Sequence, residues 1–363
     1  MDTSYGSRLD RGVTLPFSWF ADPEIFRLEQ ERIFAHTWLY GGVADWVAEP
    51  GQYFTCHAGL VPVVVVRDHC GTLNGFVNIC RHRATEVARG RGKRETLQCP
   101  YHAWTYDLDG SLRAAPRSER EAEFDRSCFG LRRVAVDTWG PFVFINRDLD
   151  APPLAEFLGD LPAVLESAGV DFSRLRFRER QDWEMNANWK AVVENYLECY
   201  HCPTAHPGFS KVIDVDPDAY RLTSDRWFSS QVGRVRQDAV DGNGSAPYRP
   251  AADGMQEAHF HYLWPTFTIN VLPGSANMGA FAFRPIDADH TATYSDSFYG
   301  EDVSDEAVND INTFLEQVGL EDQELVESIQ RAARSGGLEE GRLLLSSEHL
   351  IQHFQRLVGD ALR

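Results

Sequence analysis

Two Cys-His pairs stand close together in the first third of the sequence. Cys80 and His82 are separated by one residue, and after 16 further residues Cys99 and His102 follow with two residues between them. Each pair comes directly after a strand-like run, so the four side chains lie at the tips of two adjacent loops. Thiolate and imidazole are ligands for transition metals and for iron–sulfur clusters. The spacing therefore predicts that these four residues converge on one metal centre.

Two kinds of centre use these residue types. In one, two thiolates hold one iron of a two-iron, two-sulfur cluster and two neutral imidazoles hold the other, which raises the reduction potential above that of an all-cysteine cluster. In the other, the same residues close a tetrahedral zinc site. The usual zinc order, a Cys-Cys pair followed by a His-His pair, is absent here. The mixed order favours the cluster, which accepts an electron easily.

A second group of candidate ligands lies within residues 188–206. This stretch predicts one helix that ends near His201, with His206 just beyond it, because Pro203 lacks a donor and disfavours helical geometry at the preceding residue. Two histidines and one carboxylate form the non-haem iron site that leaves positions open for oxygen and substrate. Either histidine alone would more often be structural. Cys199 and Cys202 could join a zinc site, but we interpret them as packing residues.

Asp322 is the candidate for the missing carboxylate. It interrupts the apolar stripe of a helix predicted from Ser304 to Arg334, a stripe made of Ile311, Leu315, Val318, Leu325 and Ile329. A buried carboxylate is costly unless something compensates it, and either an iron ion or a core arginine would do so. Glu321 is predicted to point elsewhere and is the weaker candidate.

The remaining pattern predicts the elements that position these residues. Helical spacing covers residues 22–35, 154–168 and 346–358, while short runs rich in Val, Phe and Ile fill residues 38–148, and alternating aromatic residues indicate strands between residues 260 and 283. The length of 363 residues suggests two domains. We therefore expect an α+β protein with an N-terminal helical arm (1–37) that packs on the catalytic domain, a small all-β domain (38–150) and a larger catalytic domain (151–363).

Charge and apolar patterning narrow the classes of partner. A net charge of -19 and a pI near 5.0 argue against nucleic acid and against anionic lipid. The first residues lack the apolar core of a signal peptide, and the longest apolar run, 61–66, is too short to span a bilayer. We expect a cytoplasmic location.

An odd count of seven cysteines, several beside histidines, favours metal chemistry over a disulfide framework.

These motifs resemble the catalytic alpha subunits of Rieske non-haem iron oxygenases, the ring-hydroxylating oxygenase family. The two Cys-His pairs, Trp104 and residues 107–112 match the Rieske pattern, with Ala103 where many members have glycine. The resemblance implies a Rieske [2Fe-2S] cluster on the four residues of the first centre. It further implies mononuclear Fe(II) on His201, His206 and Asp322, in a catalytic domain with a helix-grip-like antiparallel sheet.

The resemblance also implies a role for Glu198, which lies three residues before His201. In the family an acidic residue at this place bridges the mononuclear site to the cluster of a neighbouring subunit, which implies a homotrimer. Electrons would come from a separate NAD(P)H-dependent reductase. Without the surrounding motif, Glu198 would be interpreted as a solvated helix carboxylate. Trp189, Asn195 and Tyr196 match the family as well and are assigned to the scaffold.

The substrate is less clearly indicated. The sequence of residues 194–206 is similar to the sequences of the branch that oxidises choline, carnitine and betaines. This resemblance implies monooxygenation or N-demethylation of a quaternary ammonium compound. Aromatic side chains that could line its pocket by cation–π contact are Phe260, Tyr262, Trp264, Phe267, Phe281 and Phe283, although aromatic residues on strands are more often ordinary core. The alternatives are hydroxylation or dioxygenation of an aromatic or heterocyclic compound, a non-catalytic iron–sulfur electron carrier, and a zinc-binding module.

Overall fold

A computed structural model describes residues 5–241, 246–252 and 254–363 of the chain. The chain divides into two compact units, one formed by Phe34–Phe157 and the other by the residues up to Ile33 together with Leu158–Arg363. The mixture of strands and helices confirms the predicted α+β class. No helix of the described residues is long and apolar enough to cross a membrane.

The Phe34–Phe157 unit is built from strands. Their bounds are β1 Leu39–Val43, β2 Gln52–Ala58, β3 Val61–Arg67, β4 Leu73–Val77, β5 Arg91–Lys93, β6 Leu97–Gln98, β7 Thr105–Tyr106, β8 Leu112–Ala114, β9 Arg133–Trp139 and β10 Phe142–Asn146. One sheet has the order β1-β10-β9-β4-β3-β2-β5, and β6, β7 and β8 form a second, smaller sheet. The apolar run predicted at 61–66 is β3, whose valines at positions 63–66 are fully buried.

The hairpin between β7 and β8 turns at Gly110. Its φ of +88° lies in the region that favours glycine, and a Cβ on this residue would lie 2.3 Å from the ring of Phe76. The turn therefore brings the small sheet onto a buried core that includes Cys80 and Cys99.

The other unit combines helices with one antiparallel sheet. Its strands are β11 Leu175–Met185, β12 Arg221–Ser224, β13 Phe228–Arg234, β14 Glu257–Leu263, β15 Phe267–Val271, β16 Asn277–Pro285 and β17 Thr291–Gly300, in the order β11-β17-β16-β15-β14-β13-β12. The helices of the described chain are α1 Tyr5–Leu9, α2 Pro23–Arg32, α3 Leu154–Leu158, α4 Leu161–Ser167, α5 Trp189–Tyr196, α6 Cys202–Ala205, α7 Phe209–Val212, α8 Gln237–Asp241, α9 Asp305–Ser335 and α10 Leu345–Ala361.

Helix α5 is held at its start by buried polar contacts. Asn188 caps it by accepting a hydrogen bond from the backbone of Lys190 at 3.1 Å. The Glu29 carboxylate on α2 forms an ion pair with Lys190 and accepts a hydrogen bond from the indole of Trp189 at 2.8 Å, and both charged side chains are fully buried. Because a buried charge is stable only when it is paired, this contact fixes α5 against α2.

Helix α9 confirms the predicted long helix. Ser304 caps its first turn, and Gly336 ends it in a left-handed conformation. The predicted apolar stripe is correct only for its first half, because Leu325 and Ile329 are 38% and 43% exposed. After Asp322 the buried face continues instead through Val326, Gln330 and Ala333. A spacing of four residues keeps these side chains on one face of the helix, whereas a shift of one residue turns them outward.

Candidate active site

The loops that carry the two Cys-His pairs have the same backbone conformation. The N–H of Cys80 donates to the carbonyl of Thr85, and the N–H of Cys99 donates to the carbonyl of Trp104, both at 2.8 Å. Ala84 and Ala103 occupy the same place in each loop, with φ of +59° and +56°. This region favours glycine, which explains why a glycine at position 103 is compatible with the motif.

The four side chains of the two loops are arranged as buried thiols and exposed imidazoles. Cys80 and Cys99 are each 3% exposed and lie within interaction distance of one another, whereas His82 and His102 are exposed with ring centroids 4.7 Å apart. The Tyr106 hydroxyl lies 3.3 Å from the Cys80 sulfur. Desolvation and the charges of His82 and Arg83 lower the pKa of His102, which favours the neutral imidazole that binds metal. This donor set fits a cluster with thiolates on its inner side and imidazoles on its outer side.

The segment from α5 to α6 differs from its prediction. The predicted helix to His201 is wrong, because α5 ends at Tyr196 and α6 begins at Cys202 with Pro203 in its first turn. Proline is favoured in a first turn, where its missing N–H would have no partner anyway. Cys199 and Cys202 form a disulfide across this turn, which the sequence interpretation missed. The result is a tight corner that presents His201 and His206 to the same space.

His201, His206 and Asp322 come together as one group of potential ligands. One nitrogen or oxygen of each lies within 4.8 Å of the others. The Nε2 atoms of the two histidines are 3.1 Å apart, and Oδ1 of Asp322 lies 2.9 Å from Nε2 of His206 and 3.5 Å from Nε2 of His201. Three ligand atoms from two imidazoles and a carboxylate are the donor set of a facial non-haem iron site.

A carboxylate contacts the Nδ1 atom of each imidazole, on the side of the ring away from Nε2. Glu198 contacts Nδ1 of His201, and Glu321 lies 2.8 Å from Nδ1 of His206. The prediction that Glu321 points elsewhere is therefore wrong, since α9 presents adjacent residues to two sides of His206. A carboxylate on Nδ1 fixes the orientation of a metal-binding histidine and leaves Nε2 available as the ligand. Asn195, assigned to the scaffold, donates from Nδ2 to Oδ1 of Asp322 at 2.9 Å.

The charges of this group suit a cation. Burial raises the pKa of the Asp322 carboxyl, but hydrogen bonds to His201 and His206 outweigh that effect and hold it at about 2. Burial lowers the pKa of His201, but hydrogen bonds to Asp322 and Glu198 raise it to about 9. The pKa of His206 is also raised, because Asp322 and Glu321 outweigh its burial. A metal ion would take the place of the protons that these groups share.

A cavity of about 140 Å³ lies beside these three residues. The described residues that line it include no Lys or Arg, and its charged groups are Glu198, His201, His206 and Asp322. Its aromatic lining consists of Trp183, Tyr196, Phe209, Tyr220, Phe260, Phe281 and Phe283. Of the predicted pocket residues, the structure brings Phe260, Phe281 and Phe283 to this cavity.

Three predicted pocket residues lie outside the lining of this cavity. Tyr262 and Trp264 pack against Phe354 of α10, with ring centroids 6.0 and 5.9 Å away. Phe267 pairs with Ala282, and because residues alternate between the faces of a sheet it lies on the opposite face from Phe281. The strand pattern identified buried aromatic residues but gave no information on which of them face the metal ligands.

The sequence interpretation also missed part of the lining. Trp183 and Met185 reach the cavity from β11, and Tyr220 and Gln231 reach it from the far end of the sheet. The alternation of Trp183 and Met185 with charged residues was the available signal for a half-buried strand. For Glu321 the signal was its position next to Asp322, and for Asn195 it was its position three residues before Glu198.

Both units match models of known protein families. A model of the Rieske [2Fe-2S] domain matches residues 37–135, and a model of the ring hydroxylating alpha subunit, catalytic domain, matches residues 172–363. The chain belongs to the Rieske oxygenase alpha subunits. It is therefore an oxidoreductase that incorporates molecular oxygen, and residues 37–135 form a Rieske [2Fe-2S] domain. The electron-carrier and zinc-module alternatives are excluded.

Individual relatives of this Rieske oxygenase are similar over nearly the whole chain. The carnitine monooxygenase oxygenase subunit of Acinetobacter pittii is 33% identical over 96% of this chain and 95% of its own. The choline monooxygenase of Spinacia oleracea, described as chloroplastic, is 31% identical over 94% of this chain and 76% of its own.

Solved structures agree with this assignment. A quaternary ammonium Rieske monooxygenase in complex with L-carnitine has a TM-score of 0.85 and 31% identity, and covers 100% of this chain and 99% of its own. A naphthalene 1,2-dioxygenase from Rhodococcus has a TM-score of 0.79 at 20% identity, covers 99% of each chain, and shares the fold.

Proposed function

We propose that this oxygenase hydroxylates a carbon bonded to the nitrogen of a quaternary ammonium compound. The observation that carries the proposal is the cavity beside His201, His206 and Asp322, whose lining combines aromatic rings with carboxylates and, among the described residues, has no Lys or Arg. The names of the carnitine and choline monooxygenases, 31% to 33% identical over more than nine-tenths of this chain, support the same class of substrate.

Within this proposal, His201, His206 and Asp322 hold mononuclear Fe(II). Their Nε2 and Oδ1 atoms already face one another, and three protein ligands leave positions for oxygen and substrate. When bound there, the iron would activate O2 with electrons delivered from the [2Fe-2S] cluster on Cys80, His82, Cys99 and His102. The residues supply binding, orientation and shielding from water.

The contacts around the ligands suit these tasks. Glu198 and Glu321 keep both imidazoles oriented through Nδ1, and Asn195 holds one oxygen of Asp322. His206 is only 2% exposed, so its side of the site is closed to bulk water. A dry site strengthens each of these electrostatic contacts and limits side reactions of activated oxygen.

The lining of the cavity selects for a cation. Aromatic faces attract a quaternary ammonium group by cation–π interaction, which contributes about 2 kcal/mol or more when the group is desolvated. Trp183 and Phe281 meet edge to face with ring centroids 6.3 Å apart, and Tyr196 is fixed by a 2.6 Å hydrogen bond to Asn270. Rings held in this way are preorganised for such a ligand.

The proposed reaction is balanced in atoms and electrons. A methyl group on the quaternary nitrogen reacts with O2, two electrons and two protons, which gives a hydroxymethyl group on the same nitrogen and one water. The hydroxymethyl group then loses its C–N bond, whose electron pair stays on the nitrogen. This step releases the tertiary amine, formaldehyde and a proton. Hydroxylation of a different carbon on the nitrogen would release the corresponding larger aldehyde instead.

Electron supply requires partners. We infer a separate NAD(P)H-dependent reductase for the cluster, and transfer from the cluster of one subunit through Glu198 to the iron of the next within a homotrimer. Glu198 contacts His201 directly and its side chain is 11% exposed, which supports a position at the edge of the site.

In this assignment residues 38–150 are the Rieske domain, residues 151–363 are the catalytic domain, and residues 1–37 are an arm that packs on the catalytic domain.

The proposal is tested by substrate-stimulated oxygen uptake. Purified protein with NADH and a reductase is given choline, carnitine, γ-butyrobetaine or glycine betaine, and separately aromatic acids, while oxygen and formaldehyde are measured. We expect uptake with at least one quaternary ammonium compound and release of an aldehyde in step with oxygen consumed. Uptake with aromatic acids alone, yielding hydroxylated rings, would replace the proposal with the ring-oxidation alternative.

A further inference from the structure

The site cavity adjoins a second cavity, here called the outer cavity, between α9 and the sheet. This outer cavity has a volume of about 340 Å³ and is lined by residues of β11, β16, β17 and α9. Four residues, Trp183, Phe281, Leu315 and Gly319, line both cavities. The two spaces therefore meet between a pair of aromatic rings on the sheet and one turn of α9.

The geometry of α9 explains why the meeting point is open. Val318 and Asp322 line the site cavity, whereas Asn312, Glu316 and Gln323 line the outer cavity on the neighbouring stripe of the helix. Leu315 lines both cavities, and so does Gly319, which has no side chain. A Cβ placed on it would have no heavy atom within 4 Å, so it faces open space.

Glycine inside a helix is unfavourable, so its presence in the middle of α9 has a cost. It loses more backbone freedom on folding than alanine does, and it has no side chain to pack. Gly319 is not in a left-handed conformation and caps nothing, since α9 continues to Ser335. What Gly319 does provide is open space at the point where the two cavities meet.

The volume of the outer cavity and the exposure of its lining residues suit a role in substrate binding. Ligand sites usually have volumes of about 300 Å³ or more, and the 140 Å³ of the site cavity is well below that value. The outer cavity is open to solvent along Gln181, Glu316 and Leu320, the last of which is 59% exposed. The metal ligands, by contrast, are largely buried. A substrate would thus extend from the solvent side past Gly319 to the ligands.

We propose that the two cavities form one elongated substrate site, and that Gly319 is a specificity-determining residue that sets the size of the substrate passing between them. The inference rests on the proposed function. The outer cavity receives the part of the substrate that does not react. Its described lining mixes apolar and polar side chains and has no Lys or Arg. Its charged groups are the carboxylates of Asp182 and Glu316, so it favours a cationic or uncharged polar end.

The test compares Gly319→Ala and Gly319→Leu with the wild type across trimethylammonium alcohols of increasing chain length. We expect Gly319→Leu to lower kcat/KM for the long substrates by about 10- to 200-fold, the range that steric exclusion of a methylene-sized group produces. Choline, the shortest member, should lose less, and Gly319→Ala should fall between. Thr313→Leu, at an exposed position on the same helix, is the matched control and should change nothing.

Further readouts separate a blocked passage from a damaged site. Iron content and the visible spectrum should be the same in all variants, which excludes displacement of Asp322. Calorimetric binding of tetrabutylammonium should weaken in Gly319→Leu more than binding of tetramethylammonium. Equal losses for short and long substrates, or no loss at all, would overturn the role of Gly319. If the wild type oxidises no quaternary ammonium compound, the proposed function fails separately, and the same variants are then compared on the ring substrates of the uptake screen.

Discussion

The two candidate metal regions are built from very different lengths of chain. The loops with Cys80 and Cys99 are close in sequence and have matching hydrogen bonds within each loop. The group of His201, His206 and Asp322 requires a corner between two short helices and a residue of α9 more than a hundred positions later. The first region depends on local backbone geometry, and the second depends on the packing of distant elements.

This difference determines how each region should respond to change. Substitutions in the loop region should affect the cluster alone, because each loop satisfies its own backbone hydrogen bonds. Substitutions around the second group should act through neighbouring side chains such as Glu198, Glu321 and Asn195, which orient the ligands from three elements. Substitutions in one region at a time should therefore separate the two.

Cys99→Ser should abolish the cluster and leave the second site intact. A serine hydroxyl does not replace a thiolate, so the iron content should fall from about three to about one per chain, and the visible colour should disappear. Oxygen uptake with the reductase should be undetectable. Metal analysis and absorption spectra measure both effects. Cys128→Ser, at an exposed cysteine, is the control and should keep colour and activity. A colourless wild-type protein that contains zinc would contradict the cluster assignment.

Glu198→Gln should slow electron transfer from the cluster to the mononuclear site while both metal centres stay bound. The amide keeps the shape of the side chain but loses the charge that contacts Nδ1 of His201. We expect kcat to fall by about 10- to 100-fold with colour retained and iron content close to that of the wild type. Stopped-flow measurement of substrate-dependent reoxidation of the cluster should show the same slowing. Glu324→Gln, an exposed carboxylate on α9, is the control. An unchanged kcat would exclude Glu198 from the electron route.

Glu194→Gln should change the pH dependence of stability in the catalytic unit. Glu194 lies on α5, and burial raises the pKa of its carboxyl from 4.5 to about 7 although Gln355 donates a hydrogen bond to it at 2.9 Å. The folded state therefore binds more protons than the unfolded state between about pH 5 and 7, so stability falls as pH rises through that window, by up to ~3 kcal/mol.

The amide cannot ionise, so Glu194→Gln should be more stable than the wild type at pH 8 and similar to it near pH 5. Thermal unfolding at both values measures the difference, with Glu166→Gln at an exposed position as the control. Parallel stability curves for wild type and Glu194→Gln would show that Glu194 is not buried as a proton-binding carboxyl.

Ala103→Gly should give the smallest effect, confined to the loop region. Ala103 has a φ of +56°, which glycine adopts without steric cost. We expect the cluster to withstand heating slightly better, by less than about 1 kcal/mol, with an unchanged reduction potential. Ala84→Gly, at the equivalent place in the other loop, should behave in the same way. A loss of stability in either variant would contradict the equivalence of the two loops.

The same contrast explains what could be predicted from the sequence. Cys80, His82, Cys99 and His102 could be identified because local spacing alone defines their loops. Asp322 was found only because it interrupts an apolar stripe, and the family resemblance supported it. Glu321 was misjudged, since helical periodicity does not specify which groups pack against α9.

The aromatic residues show the same limit. Alternation along a strand identifies two faces of a sheet but not which face meets the metal ligands, so Phe260 and Phe281 were grouped with Phe267, which lies on the opposite face. The disulfide between Cys199 and Cys202 depends on a turn that replaced a predicted helix. The error on the aromatic residues concerns tertiary packing, and the error on the disulfide follows from a helix that ends at Tyr196 instead of His201. The α+β class was predicted correctly.

We expect the two regions to work in series, with electrons passing from the cluster to the mononuclear site, and a single-turnover experiment measures this coupling. The protein is reduced chemically without a reductase, the excess reductant is removed, and a quaternary ammonium substrate identified by the uptake screen is added with O2. The wild type should reoxidise its cluster rapidly and form product in proportion to the electrons stored. Asp322→Ala should keep its coloured cluster, reoxidise slowly and form no product. Product formation by Asp322→Ala at the wild-type rate would show that oxidation of the substrate does not depend on the second metal site.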